Sequence, residues 1–493
     1  MQSERASSSG QRLIIDLSST ARWTGPPVGI LRAERELAAC ALHNVPSATF
    51  VFFDPAKGAF REVSPDWVRK MLKGRAIIDP WGLPAGSPFY PSRRDRIPQA
   101  IRPWADWVLQ FRRSLLRFLE RRRLTRRSPG AKAFIDRVQR AAMSDKYRRS
   151  MVLADGARRD LAPAALLLGE AIDFRPEDVL FCAGSSWAHL NIHTLRALKE
   201  RHGFSLALLC YDIIPLLHPE TYKPHDVAAF EQHYAAAFPA ADLVIFNSKC
   251  VEQDARAYCG RNHLPIKATA VCALGADVRG EASVARELPD GLEEGRYVLF
   301  VSTIEPRKGH GLLYRVWLRL LAQQIPQAHG FKLVFVGRPG WMVDDLLHQL
   351  KTDERLAGTI RLLSNLEDDM LASLYRGAAF CVYPSLYEGY GLPVVEAFQF
   401  GKAVIASSGG SLPEVVNGFS PCLDPRDEDL WCAVLGRWIE DKSARTPFEE
   451  AIRTQFRHPT WSEACKRIFE EVEALRHKRA APAHGAARAA LAG

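Results

Sequence analysis

Twelve short apolar runs recur along this chain, alternating with stretches of helical spacing, and that alternation limits the fold more than any other feature. The first six are RLIIDLSS (12–19), SATFVFFD (47–54), DVLFCAG (178–184), FSLALLCYD (204–212), ADLVIFNS (241–248) and IKATAVCALG (266–275). The second six are RYVLFVS (296–302), KLVFVG (332–337), TIRLLS (359–364), FCVYPS (380–385), KAVIASS (402–408) and SPCLD (420–424). A strand with one wet face alternates apolar and polar residues, whereas these runs are apolar almost throughout. Both faces must therefore be covered, and the helical stretches between runs supply the cover, which implies parallel sheets.

The expected fold class is α/β, with two doubly wound Rossmann-like domains facing across a cleft. At 493 residues the chain is long enough for that. The sequence places the first domain at 11–285, with a basic helical insertion at about 85–170, and the second at 296–445. Residues 446–476 read as a helical stretch that packs back on the first domain. Residues 1–10 and the Ala/Gly/Pro/Arg-rich 477–493 read as disordered, and the charged, glycine-bearing 276–295 as a linker. Ligands of such folds bind outside the carboxyl ends of the strands, so the cleft is the expected site.

No run reaches the roughly 18–20 apolar residues needed to cross a bilayer, and MQSERASSSGQ is too polar for a secretory leader. The cytoplasm is the expected location. The ten cysteines form no CxxC pair and no cluster of metal-ligand spacing, and several sit inside apolar runs, as reduced core thiols do.

The net charge of +10 is concentrated. Residues 93–149 hold 18 Lys and Arg against 5 Asp and Glu, a balance of +13, so the rest of the chain sums to −3. Within that segment Trp104, Trp107, Phe111, Leu115 and Phe118 fall on one helical stripe with arginines opposite. Such a helix suits an anionic membrane surface, which would make the protein peripheral on the inner face of the cytoplasmic membrane. Packing of the stripe on the first domain is the alternative. Nucleic acid is not expected, since no reader motif accompanies the charge.

The most informative stretch is SLYEGYGLPVVEA (385–397). Its strand should deliver Glu388 to the carboxyl edge, and Pro393 suits the first turn of a helix whose free N–H groups favour a phosphate. Gly389 and Gly391 let backbone approach a ligand closely. Glu396 is expected to point from the first helical turn. A carboxylate accepts hydrogen bonds from adjacent hydroxyls, so Glu388 and Glu396 fit the two ends of a nucleotide sugar around its diphosphate. The plainer alternative is that the acids serve the helix dipole and the glycines a turn.

E-x7-E after an apolar strand, enclosing GYGLP, resembles the retaining glycosyltransferases of family four, whose fold is GT-B. VSTIEPRKGH (301–310), LGAD (274–277), VGRPGW (336–341) and YDIIPLLHPE (211–220) extend the likeness over most of the chain, toward bacterial polysaccharide mannosyltransferases. The resemblance implies transfer of a hexose, with mannose from GDP-mannose favoured, to a saccharide or lipid-linked saccharide acceptor with retention, as in lipopolysaccharide or capsule synthesis.

It also implies roles. Lys308 would hold the diphosphate with help from Arg307, which takes over from an arginine found in many relatives where this chain has Ser302. Glu396 would bind the ribose and Glu388 the donor sugar. Amides near Tyr390, Gly391 and Leu392 would meet the phosphate and sugar, and Gly29 would face the donor phosphate. Tyr211-Asp212 stands where many relatives have His-Asp, so that histidine's role is either lost or taken by Tyr211 or His218. No protein nucleophile, cofactor or metal is implied: the departing diphosphate takes the acceptor proton while cations stabilise its charge. A sugar-binding scaffold is the alternative function. A GT-B phosphorylase would need a pyridoxal-anchoring lysine motif, which the sequence lacks.

Overall fold

A computed structural model describes residues 12–23, 29–54, 57–74, 76–78, 111, 115, 118–119, 122–123, 128–142, 160–162, 168–276 and 287–480. The expected disordered N-terminus, Trp104, Trp107 and residues 277–286 of the linker lie outside these residues.

The first domain is built on β1 (Leu13–Asp16), β2 (Ala48–Asp54), β3 (Ala59–Val63), β6 (Leu168–Ala171), β7 (Val179–Cys182), β8 (Ser205–Cys210), β9 (Leu243–Phe246) and β10 (Ala268–Val271). Their order is β10-β9-β8-β7-β1-β2-β3-β6. All neighbours from β10 to β2 are parallel, and β3 joins β2 and β6 antiparallel. A separate parallel pair joins β4 (Ala76–Ile78) to β5 (Asp160–Ala162). The second domain carries β11 (Tyr297–Val301), β12 (Lys332–Val336), β13 (Ile360–Leu363), β14 (Phe380–Tyr383), β15 (Val404–Ser407) and β16 (Cys422–Leu423), ordered β13-β12-β11-β14-β15-β16 and all parallel. Each of the twelve apolar runs forms a strand. The two-domain doubly wound architecture is the one the alternation implies.

In both sheets the strand order reverses once, between β1 and β7 and between β11 and β14. Connections leave to opposite faces there, opening a crevice at the strand ends. The helices bounding the two crevices are α1 (Ile30–Asn44), α2 (Lys249–Arg261), α3 (His310–Ala322), α4 (Asp368–Gly377), α5 (Leu392–Gln399) and α6 (Leu412–Val416). Two more, α7 (Thr446–Gln455) and α8 (Trp461–Ala480), end the described chain. α7 stays on the second domain, because Ile452 is buried in that core. The return to the first domain begins at Trp461. Cys465, Ile468, Phe469 and Val472 of α8 are buried with Leu37 and Ala41 of α1, and α8 continues four residues beyond the expected limit of 476.

That crossing depends on a close backbone approach. A Cβ on Gly275 would lie 2.4 Å from the backbone N and Cα of Trp461. We expect Gly275→Ala to lower stability by about 1–3 kcal/mol, as overpacking does. Gly260→Ala, in α2 with open space around it, should be neutral or gain a few tenths of a kcal/mol. Urea midpoints of the two variants give the comparison.

Candidate functional site

At the second switch point, β14 ends at Tyr383 and hands the chain to the loop bearing Glu388, while the loop after β11 brings up Glu305, Arg307 and Lys308. Glu388 is 5% exposed. Lys308 Nζ lies 2.6 Å from its Oε1 and Arg307 Nη1 3.0 Å from its Oε2. Arg307 also reaches Glu305 Oε1 at 3.0 Å, donates to the Tyr387 carbonyl at 2.8 Å and donates from Nε to the Tyr222 hydroxyl at 3.1 Å. All three nitrogens of that guanidinium are therefore engaged. The expectation that Arg307 stands in for a missing diphosphate arginine does not fit this geometry: it is a clasp for Glu388. Ser302 donates its amide to the Val336 carbonyl and its hydroxyl to the Thr303 carbonyl.

Burial pushes the Glu388 carboxyl up, but Arg307 and Lys308 outweigh it and bring it down to about 2. Glu305 and Asp212 lie in the same field. Burial raises both carboxyls, against the pull of Arg307. The cluster is charged, nearly dry and mutually satisfied.

Glu396 lies in the second turn of α5, not the first. Helix α5 starts at Leu392 after Gly391, whose φ of +110° disfavours any side chain. The Tyr375 hydroxyl donates to Glu396 Oε2 at 3.0 Å, and Arg32 of α1 pairs with Oε1 at 3.2 Å. Arg32 comes from the other domain, 364 residues away, and sequence reasoning missed it. Its only signal was its place three residues after Gly29. Gly29 itself is exposed at the N-terminus of α1, with φ +53°; residues 24–28 of its loop lie outside the described residues.

Gly389 serves the domain seam. A Cβ there would sit 2.2 Å from the Tyr211 carbonyl oxygen and 2.7 Å from Asp212 Cβ. Its own carbonyl accepts from Ser248 at 3.0 Å. Asp212 thus borders the Glu388 cluster, and its Oδ1 accepts from the Ile214 amide at 3.1 Å. Tyr211 does not turn to the cluster. Its hydroxyl donates to the Ala183 carbonyl at 2.6 Å, and its ring is buried in the apolar cluster that also holds Tyr390 and Trp461. The expected substitution of Tyr211 for a reacting histidine is corrected on that ground. The His218 ring lies tilted at 46° against Tyr387, 4.9 Å between centroids, and pairs with Glu220. The Tyr390 hydroxyl meets His458 and the Leu274 carbonyl, and Leu392 packs on the same interdomain apolar cluster.

Other contacts across the seam were equally unread. Glu414 accepts from the Lys249 and Cys250 amides at 3.1 and 3.2 Å, capping α2 from the opposite domain. Tyr387 donates to Asp254 at 2.7 Å, and Trp341 to the Thr221 carbonyl at 2.9 Å.

The first switch point holds two buried acids. Ser18 donates to Asp16, and the amide and hydroxyl of Thr20 both donate to Glu34 Oε2 at 2.5 Å. Gly184 leaves no room for a side chain, since a Cβ would fall 2.1 Å from Glu34 Oε1. Burial, then Asp16, pushes the Glu34 carboxyl up to about 8 against the Thr20 bonds; burial lifts Asp16 to about 6. In the basic segment Phe111 is 60% and Phe118 53% exposed, so at these positions the stripe is not packed on the domain. Among the described residues no helix is long and apolar enough to cross a membrane.

Residues 288–455 match the family model for glycosyl transferases group 1. The chain is 39% identical over 150 residues to the O-antigen chain mannosyltransferase B of Escherichia coli, covering 30% of this chain and 38% of that one. It is 29% identical over 255 residues to the serotype-specific mannosyltransferase WbdA of Escherichia coli, covering 48% and 30%. It is 32% identical over 154 residues to an MMP alpha-(1->4)-mannosyltransferase of Mycolicibacterium hassiacum, covering 31% and 36%. These matches span between 30% and 38% of the relatives' own lengths. Sucrose-phosphate synthase of Thermosynechococcus elongatus superposes with a TM-score of 0.49 at 22% identity, over 61% of this chain and 74% of that one.

The acid pair at the first switch point gives a measurable signature. The folded chain keeps a proton on Glu34 up to about pH 8, whereas the unfolded chain releases it near 4.5. Above about pH 6, where Asp16 has given up its own proton, and up to about pH 8 the folded state still binds the Glu34 proton, so stability falls as pH rises, by about 1.4 kcal/mol per unit. Glu34→Gln keeps an acceptor for Thr20 and should flatten that slope. Denaturant midpoints at pH 5, 6.5 and 8 are the check.

Proposed function

We propose that the protein transfers a hexose, mannose foremost, from a nucleotide diphosphate sugar to a saccharide or lipid-linked saccharide acceptor, with retention, in bacterial surface polysaccharide or glycolipid synthesis. One observation carries the reading: a buried carboxylate, Glu388, clasped by Arg307 and Lys308 at a switch-point crevice, with Glu396 on the adjoining helix. The group 1 family match over this domain and the relatives named as mannosyltransferases support it. On this reading the donor diphosphate draws Lys308 from Glu388, which then accepts from the sugar hydroxyls. Arg307 stays on Glu388 and fixes its orientation. Glu396 takes the ribose diol, and the N-terminus of α5 favours the phosphate. The departing diphosphate, its charge met by Lys308, takes the acceptor proton, so positioning and electrostatics do the catalysis.

A second reading, a sugar-binding protein that does not turn over, draws on Tyr211. Its hydroxyl is committed to Ala183 and stands in for no reacting group. Release of GDP from GDP-mannose in the presence of acceptor glycans separates the two readings. For the membrane, the exposed rings are the support: anionic lipid would take up Phe111 and Phe118 beside the arginines.

Two outcomes are expected. In a thermal-shift panel of GDP, UDP, ADP and dTDP sugars at least one should stabilise the chain. Lys308→Ala and Glu396→Ala should each weaken that ligand by about ten- to a hundredfold, the worth of a charged hydrogen bond; unchanged affinity would sink the reading. Joint replacement Phe111→Ser and Phe118→Ser, at exposed sites that should not disturb folding, should cut co-sedimentation with phosphatidylglycerol vesicles severalfold while donor binding stays intact. Equal sedimentation would remove the membrane role.

A further inference from the structure

The Arg32–Glu396 pair is the most informative contact that the proposed function leaves without a task. Glu396 is 6% exposed, and its two oxygens have different owners: Tyr375 holds Oε2 from the same domain, Arg32 holds Oε1 from the other. We propose that Arg32 is a positioning residue for the nucleotide, holding the Glu396 carboxylate as an acceptor for it, so that a complete nucleotide site exists only when the two domains are together. This rests on the donor-binding reading above and adds to it a contribution from the first domain.

The argument is one of charge. A carboxylate can accept two hydroxyl protons, whereas a protonated carboxyl must donate one and loses half that capacity. Burial drives Glu396 toward the protonated form. The groups facing it are few. Arg32, on α1, favours ionisation most; Tyr375, on α4, favours it through a hydrogen bond; Asp368, also on α4, opposes it by like charge. Arg32 is the cation of the set. It is itself nearly buried, with 13% of its side chain exposed, so water screens the pair little. Removing one partner of such a pair leaves the other charge uncompensated, and a carboxyl answers by taking a proton. Gly29, three residues before Arg32, ties this contact to the glycine-bearing loop of the first domain.

The test is the pH dependence of binding, measured by calorimetry with GDP-mannose and UDP-glucose, whose diphosphates do not titrate near neutrality. The unaltered chain should bind one of them with an affinity constant to about twofold from pH 8 to 6. Arg32→Ala should lose affinity as pH falls across that range, by up to about tenfold per unit, because one proton must leave for each ligand bound. Arg32→Lys should restore most of the flat profile. Adding Glu396→Gln to Arg32→Ala should give binding that is weak and flat. A mere packing role predicts weaker binding with the wild-type profile, and that result, or a Lys variant no better than Ala, overturns the proposal. If the unaltered chain binds neither compound nor any sugar nucleotide of the panel, the donor-binding reading falls and this one with it.

Discussion

The organising interaction of this molecule is the encirclement of one carboxylate by two cations at the seam between two sheets. Glu388 meets Lys308 and Arg307 almost out of water. A buried ion cluster is a poor device for stability, since well-packed apolar groups of equal volume hold a fold as well or better. Its presence at the strand ends therefore speaks about ligands. The balance of charges adds specificity. Arg307 and Lys308 face Glu388, Glu305 and Asp212, so no cation is left over for an anion that brings nothing else. A bare phosphate taking Lys308 would strip Glu388 of a partner. A sugar diphosphate, on the proposed reading, returns hydroxyl donors to the carboxylate it displaces.

Around that cluster the seam is laced by polar contacts, each reaching from one domain to the other. Glu414 caps α2, Ser248 holds the Gly389 carbonyl, Arg307 meets Tyr222, and Arg32 meets Glu396. None would be worth much on an exposed surface. The Glu414 cap is exposed, but the other three lie buried or half-buried, next to an apolar cluster in which Tyr390 and Val395 join the core of the first domain, and that gives them weight. The loops that carry the candidate ligand groups are the loops that hold the domains together, so binding and closure share residues.

What the sequence made legible follows from range. The strands were readable because a run buried on both faces is apolar without interruption, and Glu388, Glu396, Arg307 and Lys308 because their local patterns place them at strand ends. β3 and β6 escaped: Ala59–Val63 holds Arg61 and Glu62 at its centre, the mark of an antiparallel strand with a wet face rather than one covered on both faces. Arg32 escaped because its partner is 364 residues distant. Tyr211 was misplaced for a different reason. A tyrosine at a strand end can turn its hydroxyl to the cleft or to a nearby carbonyl, and only the position of Ala183 decides. Gly389 shows the same limit: a glycine marks a close approach but not what approaches, which here is the Tyr211–Asp212 backbone.

Arg307 and Lys308 show how two adjacent cations divide their labour by shape. The guanidinium is a rigid planar fork, and its nitrogens are spread over Glu305, Glu388, the Tyr387 carbonyl and Tyr222; shifting it would break several bonds at once. The ammonium is a single point on a flexible stem, with Glu388 as its carboxylate. A ligand that must exchange a cation between a protein carboxylate and its own phosphate meets the lower barrier at the lysine. The arginine then keeps Glu388 aimed while the lysine moves. The serine at position 302 fits that division: with Arg307 committed to the clasp, the charge offered to a diphosphate narrows to Lys308 and the N-terminal dipole of α5.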